Sequence, residues 1–164
     1  MKLIILRGPA GVGKTTMGKL LKKRLGDSLL FNIDMICSDM IGGHPRKTEV
    51  RYAAHELCYL AAEKTLAKNL IFERLFLDQS DIDHIVKLFS KLKYKIIVIT
   101  LKASIEKLIR QDSKRLSPLG SEDIKRLHRL FIESKVKTTG KTIEVGNKTP
   151  NTIVNEIINY LSIS

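Results

Sequence analysis

Cysteine is nearly missing from this sequence: Cys37 and Cys58 are the only two in 164 residues. Two thiols so placed make neither a disulfide framework nor a zinc cluster, and they suit a reducing cytoplasm. Long apolar runs are missing too. No stretch approaches the roughly 18 residues that a membrane-spanning helix needs, so no membrane span is expected. The run Leu3 to Leu6 is shorter than the roughly 7–15 residues of a secretory signal core, and reads as a strand. Linkers rich in Pro, Gly or Ser, internal repeats and low-complexity tracts are likewise absent, so residues 1–164 are expected to form one domain. A chain of this length buries a core without help from metals or cross-links. Acidic residues are in short supply: 17 Asp and Glu face 29 Lys and Arg, a formal net charge of +12. That balance favours anionic partners such as nucleotides, phosphorylated metabolites or nucleic acid. The lysines are spread over nearly every segment, however, which is equally the pattern of a solvated surface.

What is present is an alternation of two periodicities. KLIILR (2–7), LLFNI (29–33), NLIFE (69–73), YKIIVITL (94–101) and KTIEV (141–145) are short aliphatic runs, as strands buried on both faces must be. Between them apolar residues recur at helical spacing. Met17, Leu20, Leu21 and Leu25 mark a helix over 15–25 that stops at Gly26, and Val50, Ala53, Ala54, Leu57 and Ala61 mark a longer one. Ile82, Ile85, Val86, Phe89 and Leu92 follow a Ser80-x-x-Asp83 capping pattern. Ser104 opens a helix with Ile105, Leu108 and Ile109, and Ser121 opens one with Ile124, Leu127 and Phe131. Thr149 and Pro150 offer a cap and a first-turn proline to a last helix carrying Ile153, Val154, Ile157, Ile158 and Leu161. This alternation predicts an α/β fold, a parallel sheet with right-handed crossovers and helices on both faces. Ligands of such folds sit at the carboxyl ends of the strands.

The first of those ends carries the most specific pattern in the chain. Gly8-Pro9-Ala10-Gly11-Val12-Gly13-Lys14-Thr15 is a G-x-x-x-x-G-K-T phosphate loop, with a strand before it and a helix after it. The glycines let backbone N–H groups converge on phosphate oxygens, and the following helix points its positive end at the anion. Lys14 is expected to reach the β- and γ-phosphates, Thr15 to ligate Mg²⁺, and Thr16 to donate to the α-phosphate. A guanine-nucleotide switch is not expected. Asp39-Met-Ile-Gly42 does not end a strand, and Asn147-Lys148-Thr149-Pro150 has proline where a guanine-reading carboxylate would stand.

The remaining strand ends supply the other candidates. Asp34 follows the run 29–33 and is placed to orient an acceptor hydroxyl and take its proton, although an aspartate there also suits a helix cap. Asp39 is a second, weaker choice for that role. Glu73 ends the third strand, where it is expected to hold Mg²⁺ through a water. Arg74 either grips the acceptor or is a solvated strand-end charge. Asp78 and Asp81 read as helix-opening residues. In LIRQDSKRLSPLG (108–120), Arg110, Lys114 and Arg115 precede a Pro/Gly break. Residues 102–120 are therefore a candidate lid whose cations, Arg110 and Arg115 above all, offset charge on a moving phosphoryl group. A solvated basic helix end has the same composition.

On these residues the chain resembles the small P-loop kinases, the group that includes shikimate, gluconate and nucleoside monophosphate kinases and the polynucleotide kinase and zeta-toxin branch. The resemblance runs from GPAGVGKTT through FNID, NLIFE, KYKIIVITL and IRQDSKR to IEVGNKTP. It implies a three-layer P-loop NTPase fold with a five-stranded sheet ordered 2-3-1-4-5, ATP as donor, Mg²⁺ as cofactor, and an adenine-side loop at Asn147. Three departures leave the acceptor open. Cys37 stands where polynucleotide-type members often carry arginine, Glu73-Arg74-Leu75-Phe76 replaces the Asp-Gly-x-Pro-Arg of monophosphate kinases, and Gly42-Gly43 comes too early for a shikimate-type glycine pair. Residues 34–51 are the candidate acceptor-binding region, with His44, Arg46 and Arg51 as anion contacts. The expected activity is an ATP- and Mg²⁺-dependent transfer to a small molecule, nucleoside, nucleotide or nucleic-acid end. Two alternatives stand beside it: a nucleotide-gated nucleic-acid-binding module with weak ATPase activity, and a toxin- or antibiotic-modifying phosphotransferase.

Overall fold

The aliphatic runs become parallel strands in the computed structural model, which describes residues 1–137 and 140–163. They are β1 (Lys2–Arg7), β2 (Ser28–Asn32), β3 (Asn69–Arg74), β4 (Lys95–Lys102) and β5 (Lys141–Glu144). Their order is β2-β3-β1-β4-β5, so the α/β class and the five-stranded 2-3-1-4-5 sheet are as expected. Register sets Asn32 beside Glu73, and Arg7 beside both Arg74 and Thr100, so the carboxyl ends form one edge.

Helices cover both faces. They are α1 (Lys14–Leu25), the single turn α2 (Ile33–Met35), α3 (Thr48–Thr65), α4 (Gln79–Phe89), α5 (Ile105–Asp112), α6 (Ser121–Glu133) and α7 (Pro150–Ile163). On one face Met17 and Leu21 of α1 and Ile153, Val154 and Ile157 of α7 pack on Ile4, Leu6, Ile97 and Ile99. On the other, Ala54 and Cys58 of α3 and Ile82, Ile85 and Phe89 of α4 pack on Leu3, Ile5, Phe72 and Val98. Successive strand residues feed opposite layers, and each fully buried Leu, Ile or Phe contributes about 1.5–3 kcal/mol. Both cysteines are buried and free. Among the described residues, no helix is long and apolar enough to cross a membrane.

Four local expectations are corrected. α3 buries Arg51, Ala54, His55, Cys58 and Ala62, not the stripe through Val50, Ala53 and Leu57, and Leu57 is exposed. Its polar residues can turn inward because partners on α4 await them. The Ser80-x-x-Asp83 pattern forms no cap, since Asp83 instead accepts from Gln79 Nε2 at 2.8 Å. Ser121 is the first residue of α6 and not its cap, and the Gly120 N–H before it donates to Asp112 Oδ2 at 3.0 Å. Finally, α2 and the π turn Ile36–Met40 occupy a segment for which no helix was expected. Ser104 and Thr149 do cap, accepting from Lys107 N and Thr152 N.

Candidate functional site

The phosphate-loop residues join β1 to α1 at the carboxyl edge. Gly11 and Gly13 have φ of 83° and 94°, where a side chain would be strained. A Cβ at Gly11 would also stand 2.9 Å from the Leu108 carbonyl oxygen, so the loop rests directly on α5. Gly13 precedes α1 without any side-chain cap, which leaves the leading N–H groups of the helix to an anion. Lys14 is half-buried, and its Nζ donates to the carbonyls of Gly8 and Pro9, each at 2.9 Å. Burial of the ammonium lowers its pKa to about 8; Glu73 and Asp34 oppose that shift, and Arg115 and Arg74 add to it. The loop cation therefore lies in the field of both candidate carboxylates and of two arginines.

One face of the β3 end serves this loop. The Thr15 hydroxyl is shared between Glu73 Oε1 and Oε2 at 2.8 and 3.0 Å, and Asn32 Nδ2 donates to Glu73 Oε1 at 2.7 Å. Glu73 is buried. Hydroxyl and carboxylate oxygens side by side suit a hard cation. Among the described residues no three His, Cys, Asp or Glu cluster as a metal cage. Thr15 and Glu73 would thus hold Mg²⁺ jointly with donor phosphates and water, the sharing that this ion commonly adopts.

The other face is built from charge. Asn32 Oδ1 accepts from Met35 N at 2.9 Å, so Asn32 caps α2 and Asp34 is released from that duty. Asp34 is about half exposed, and its Oδ1 accepts from Arg74 Nε at 2.8 Å. Arg74 is no solvated strand-end charge: its Nη1 donates to Asp81 Oδ2 at 2.9 Å and its Nη2 to the Pro45 carbonyl at 2.9 Å. Arg51 is no free anion contact either. It is buried, with Nε on Asp81 Oδ1 at 2.8 Å, Nη2 on Asp78 Oδ2 at 3.0 Å and Nη1 on the Arg46 carbonyl at 2.7 Å. Asp81 is thus a fully buried bridge between two guanidiniums and more than a helix-opening residue. Removing one member of such a network costs about 3–5 kcal/mol, because the others stay buried and unpaired. His44 and Arg46 are exposed and linked to each other, with the Arg46 N–H on His44 Nδ1 at 3.1 Å. Asp39 accepts from the neighbouring Ser38 hydroxyl.

The two lid arginines part company. Arg110, in the last turn of α5, lines a cavity of about 500 Å³ together with Ser104, Lys107, Glu144, Gly146 and Asn147. Lys107 Nζ donates to the Gly146 carbonyl across it. Arg115 lies beyond α5, 3.2 Å from the buried Asp112, and acts on Lys14. Asp112 also holds Gly120, so one carboxylate ties both ends of the exposed turn 113–120.

Asn32 and Asp81 were not singled out from sequence as site residues, yet both left a trace there. Asn32 interrupts the apolar run LLFNI, and Asp81 stands four and eight residues before Ile85 and Phe89, on the buried stripe of α4.

A family model described as AAA domain matches residues 3–131. No curated protein matches the chain. Among solved structures, the chain is similar to a gluconokinase from Sinorhizobium meliloti 1021, with 16% identity and TM-score 0.70, over 98% of this chain and 91% of that one. It is similar to the tunicamycin resistance protein of Deinococcus radiodurans, with 16% identity and TM-score 0.71, over 98% and 95% of the two chains. A third likeness is to the APS kinase of Mycobacterium tuberculosis, solved with AMPPNP and APS, with 14% identity and TM-score 0.73 over 98% and 97%.

Proposed function

The chain belongs to the AAA domain family and has the fold of the small P-loop kinases, and from its site we propose that it is an ATP- and Mg²⁺-dependent phosphotransferase acting on a hydroxyl. One observation carries this reading: Glu73, Asp34 and Arg115, which come from three other segments, all act on the charge of the loop cation Lys14 at the carboxyl edge of the sheet. A hydrolase that merely binds nucleotide has no need for a half-exposed carboxylate held toward the loop by an arginine. The phosphotransferase names among the similar structures point the same way.

In the proposed reaction the loop N–H groups, Lys14 and Thr16 hold the triphosphate. Arg110 and Asn147 flank the donor base in the cavity between α5 and the β5–α7 turn. Thr15 and Glu73 would hold Mg²⁺, which would supply neutralisation of the phosphate charge. Asp34 Oδ1 stays on Arg74, which leaves Oδ2 for the acceptor hydroxyl. The hydroxyl oxygen attacks the γ-phosphorus, the bond to the β-phosphate oxygen breaks, and the hydroxyl proton passes to Asp34. Lys14 and Arg115 offset the charge that builds up, and residues 102–120 act as the lid that excludes water.

Acceptor-stimulated ADP release, screened over alcohols, sugars, nucleosides, nucleotides and oligonucleotides, tests the proposal. Lys14→Ala is expected to lower the stimulated rate by about 10²–10³-fold, the usual loss for one transition-state donor. A Lys14→Ala protein with the wild-type stimulated rate would overturn it.

A further inference from the structure

The sheet has a second edge, opposite the phosphate loop, and its exposed charge is largely of one sign. At the amino ends of the strands the Lys2 N–H donates to the Lys68 carbonyl at 2.9 Å, the Lys95 N–H to the Met1 carbonyl at 3.0 Å and the Asn69 N–H to the Asp27 carbonyl at 3.1 Å. The starts of β1 to β4 therefore lie side by side. There α1 ends on Lys22, Lys23 and Arg24, α3 ends on Lys64 with Lys68 just beyond it, and Lys93 leads into β4. All of these are exposed, and among the described residues none of them makes an ion pair. The carboxylates of the same segments are Asp27 and Glu63, and Glu63 already accepts from the Tyr59 hydroxyl at 3.0 Å. Helix ends attract cations through their dipole, but that alone does not account for the cluster. Lys68 and Lys93 lie beyond the helices, and α7, which ends at the same edge, has no basic residue in its last turn.

Two apolar features share this edge. A cavity of about 500 Å³ lies between the last turns of α1 and α7, with Leu25, Ile158 and Leu161 in its wall beside Lys2 and Lys68. Leu66, which ends α3, is 68% exposed and holds φ at 53°. Glycine adopts that left-handed conformation without steric cost, so the fold gains neither packing nor an easier turn from a leucine there. We propose that the amino edge docks on an anionic lipid surface, with Lys22, Lys23, Arg24, Lys64, Lys68 and Lys93 toward the headgroups and Leu66 at the acyl boundary beside the cavity. Lysine stems lie along apolar surface while their ammonium groups stay at headgroup level, and basic residues beside exposed aliphatic ones are what such a boundary holds. The phosphate chain of a nucleic acid would match the charge, yet it leaves the cavity and Leu66 without a use. Tyr94, the ring at this edge, is buried with its hydroxyl on the Ala67 carbonyl at 2.6 Å, and so is not free to stack on a base. The proposal does not rest on the phosphotransferase reading, since the phosphate loop stands at the opposite edge, about 20 Å away along the strands.

Co-sedimentation of the full chain with vesicles tests the proposal. The wild type is expected to pellet with vesicles of phosphatidylcholine mixed with phosphatidylserine, to stay in solution with phosphatidylcholine alone, and to be released as salt rises. Each basic residue near such a surface strengthens partition about fivefold. Lys22→Ala, Lys23→Ala and Arg24→Ala together are therefore expected to weaken binding by about 100-fold, with the circular-dichroism melt unchanged. Leu66→Gly relieves the backbone and leaves the charge untouched, and is expected to weaken binding by about tenfold. Equal pelleting with phosphatidylcholine alone, no pelleting with the mixture, or a triple variant or Leu66→Gly protein that binds as the wild type does would each overturn the proposal. A duplex oligonucleotide held through the same three cations, with vesicles ignored, would overturn it too and give the face to nucleic acid.

Discussion

Glu73 and Arg74 are adjacent in sequence, yet they serve opposite faces of the sheet. Glu73 turns to α1, where it gathers neutral donors from Thr15 and Asn32 around one buried carboxylate. Arg74 turns to α4, where it joins a chain of alternating charges that ends at the half-exposed Asp34. The two-residue period of a strand is the cause. One strand end thereby feeds both halves of the site: a face of short polar contacts toward the phosphate loop, and a face of ion pairs toward residues 34–51, the proposed acceptor region. The difference teaches that the faces should fail separately. Damage to the first should appear in nucleotide and metal dependence, and damage to the second in acceptor dependence.

Asp34→Asn is the strongest test of that separation. Losing the proposed acceptor base is expected to lower acceptor-stimulated ADP release by about 10²–10⁴-fold, with nucleotide affinity by calorimetry unchanged. An equal loss of nucleotide affinity would join the two faces and break the comparison. Glu73→Gln should do the reverse with a smaller effect. It keeps the size of the side chain and removes the charge beside Thr15, so the Mg²⁺ concentration that half-saturates ADP release is expected to rise by about 10–100-fold. The acceptor KM should stay where it is. A rise in that KM of the same size would show that β3 transmits the change from one face to the other.

The face nearer the loop was the more legible in the sequence. A phosphate loop is a contiguous motif with a strand before it and a helix after it, so residues 8–16 could be assigned without tertiary information. Glu73 followed from the resemblance, since P-loop enzymes commonly place an acidic residue at the end of the third strand. The acceptor face was less so, since its meaning lies in pairs distant along the chain. Arg51 with Asp81, and Arg74 with Asp34, are 30 and 40 residues apart. Read alone, Arg51 looked like a cation for a ligand and Asp81 like the start of a helix; only the register of α3 against α4 brings them together. Arg110 and Arg115 show the converse. Their closeness in sequence suggested a joint role, but the turn at Asp112 sends Arg110 to the cavity beside Asn147 and Arg115 toward Lys14.

The smallest expected effect asks whether the acceptor face depends on how α3 sits against α4. In that interface His55 Nδ1 lies 3.1 Å from His84 Nδ1, and the Tyr52 ring stacks on His84 with centroids 3.9 Å apart. One ring nitrogen must carry a hydrogen while the other offers a lone pair, so a second proton would set two donors against each other. Burial pushes His55 down to about 3, and His84, Arg74 and Arg51 act in the same direction. Burial also lowers His84, with Glu56 and Asp81 pulling it upward and Lys87 pushing it down. A histidine kept neutral in the fold, but free to protonate near pH 6.5 once unfolded, favours the unfolded chain as pH falls. The stability is whole above about pH 6.5 and drains away toward the folded value, at about 1.4 kcal/mol per pH unit for His55. Urea unfolding between about pH 7 and 5 is expected to follow that slope, and His55→Leu to flatten it. An unchanged slope in His55→Leu would place the proton uptake elsewhere and leave the Arg51–Asp81–Arg74 bridge independent of the histidine pair.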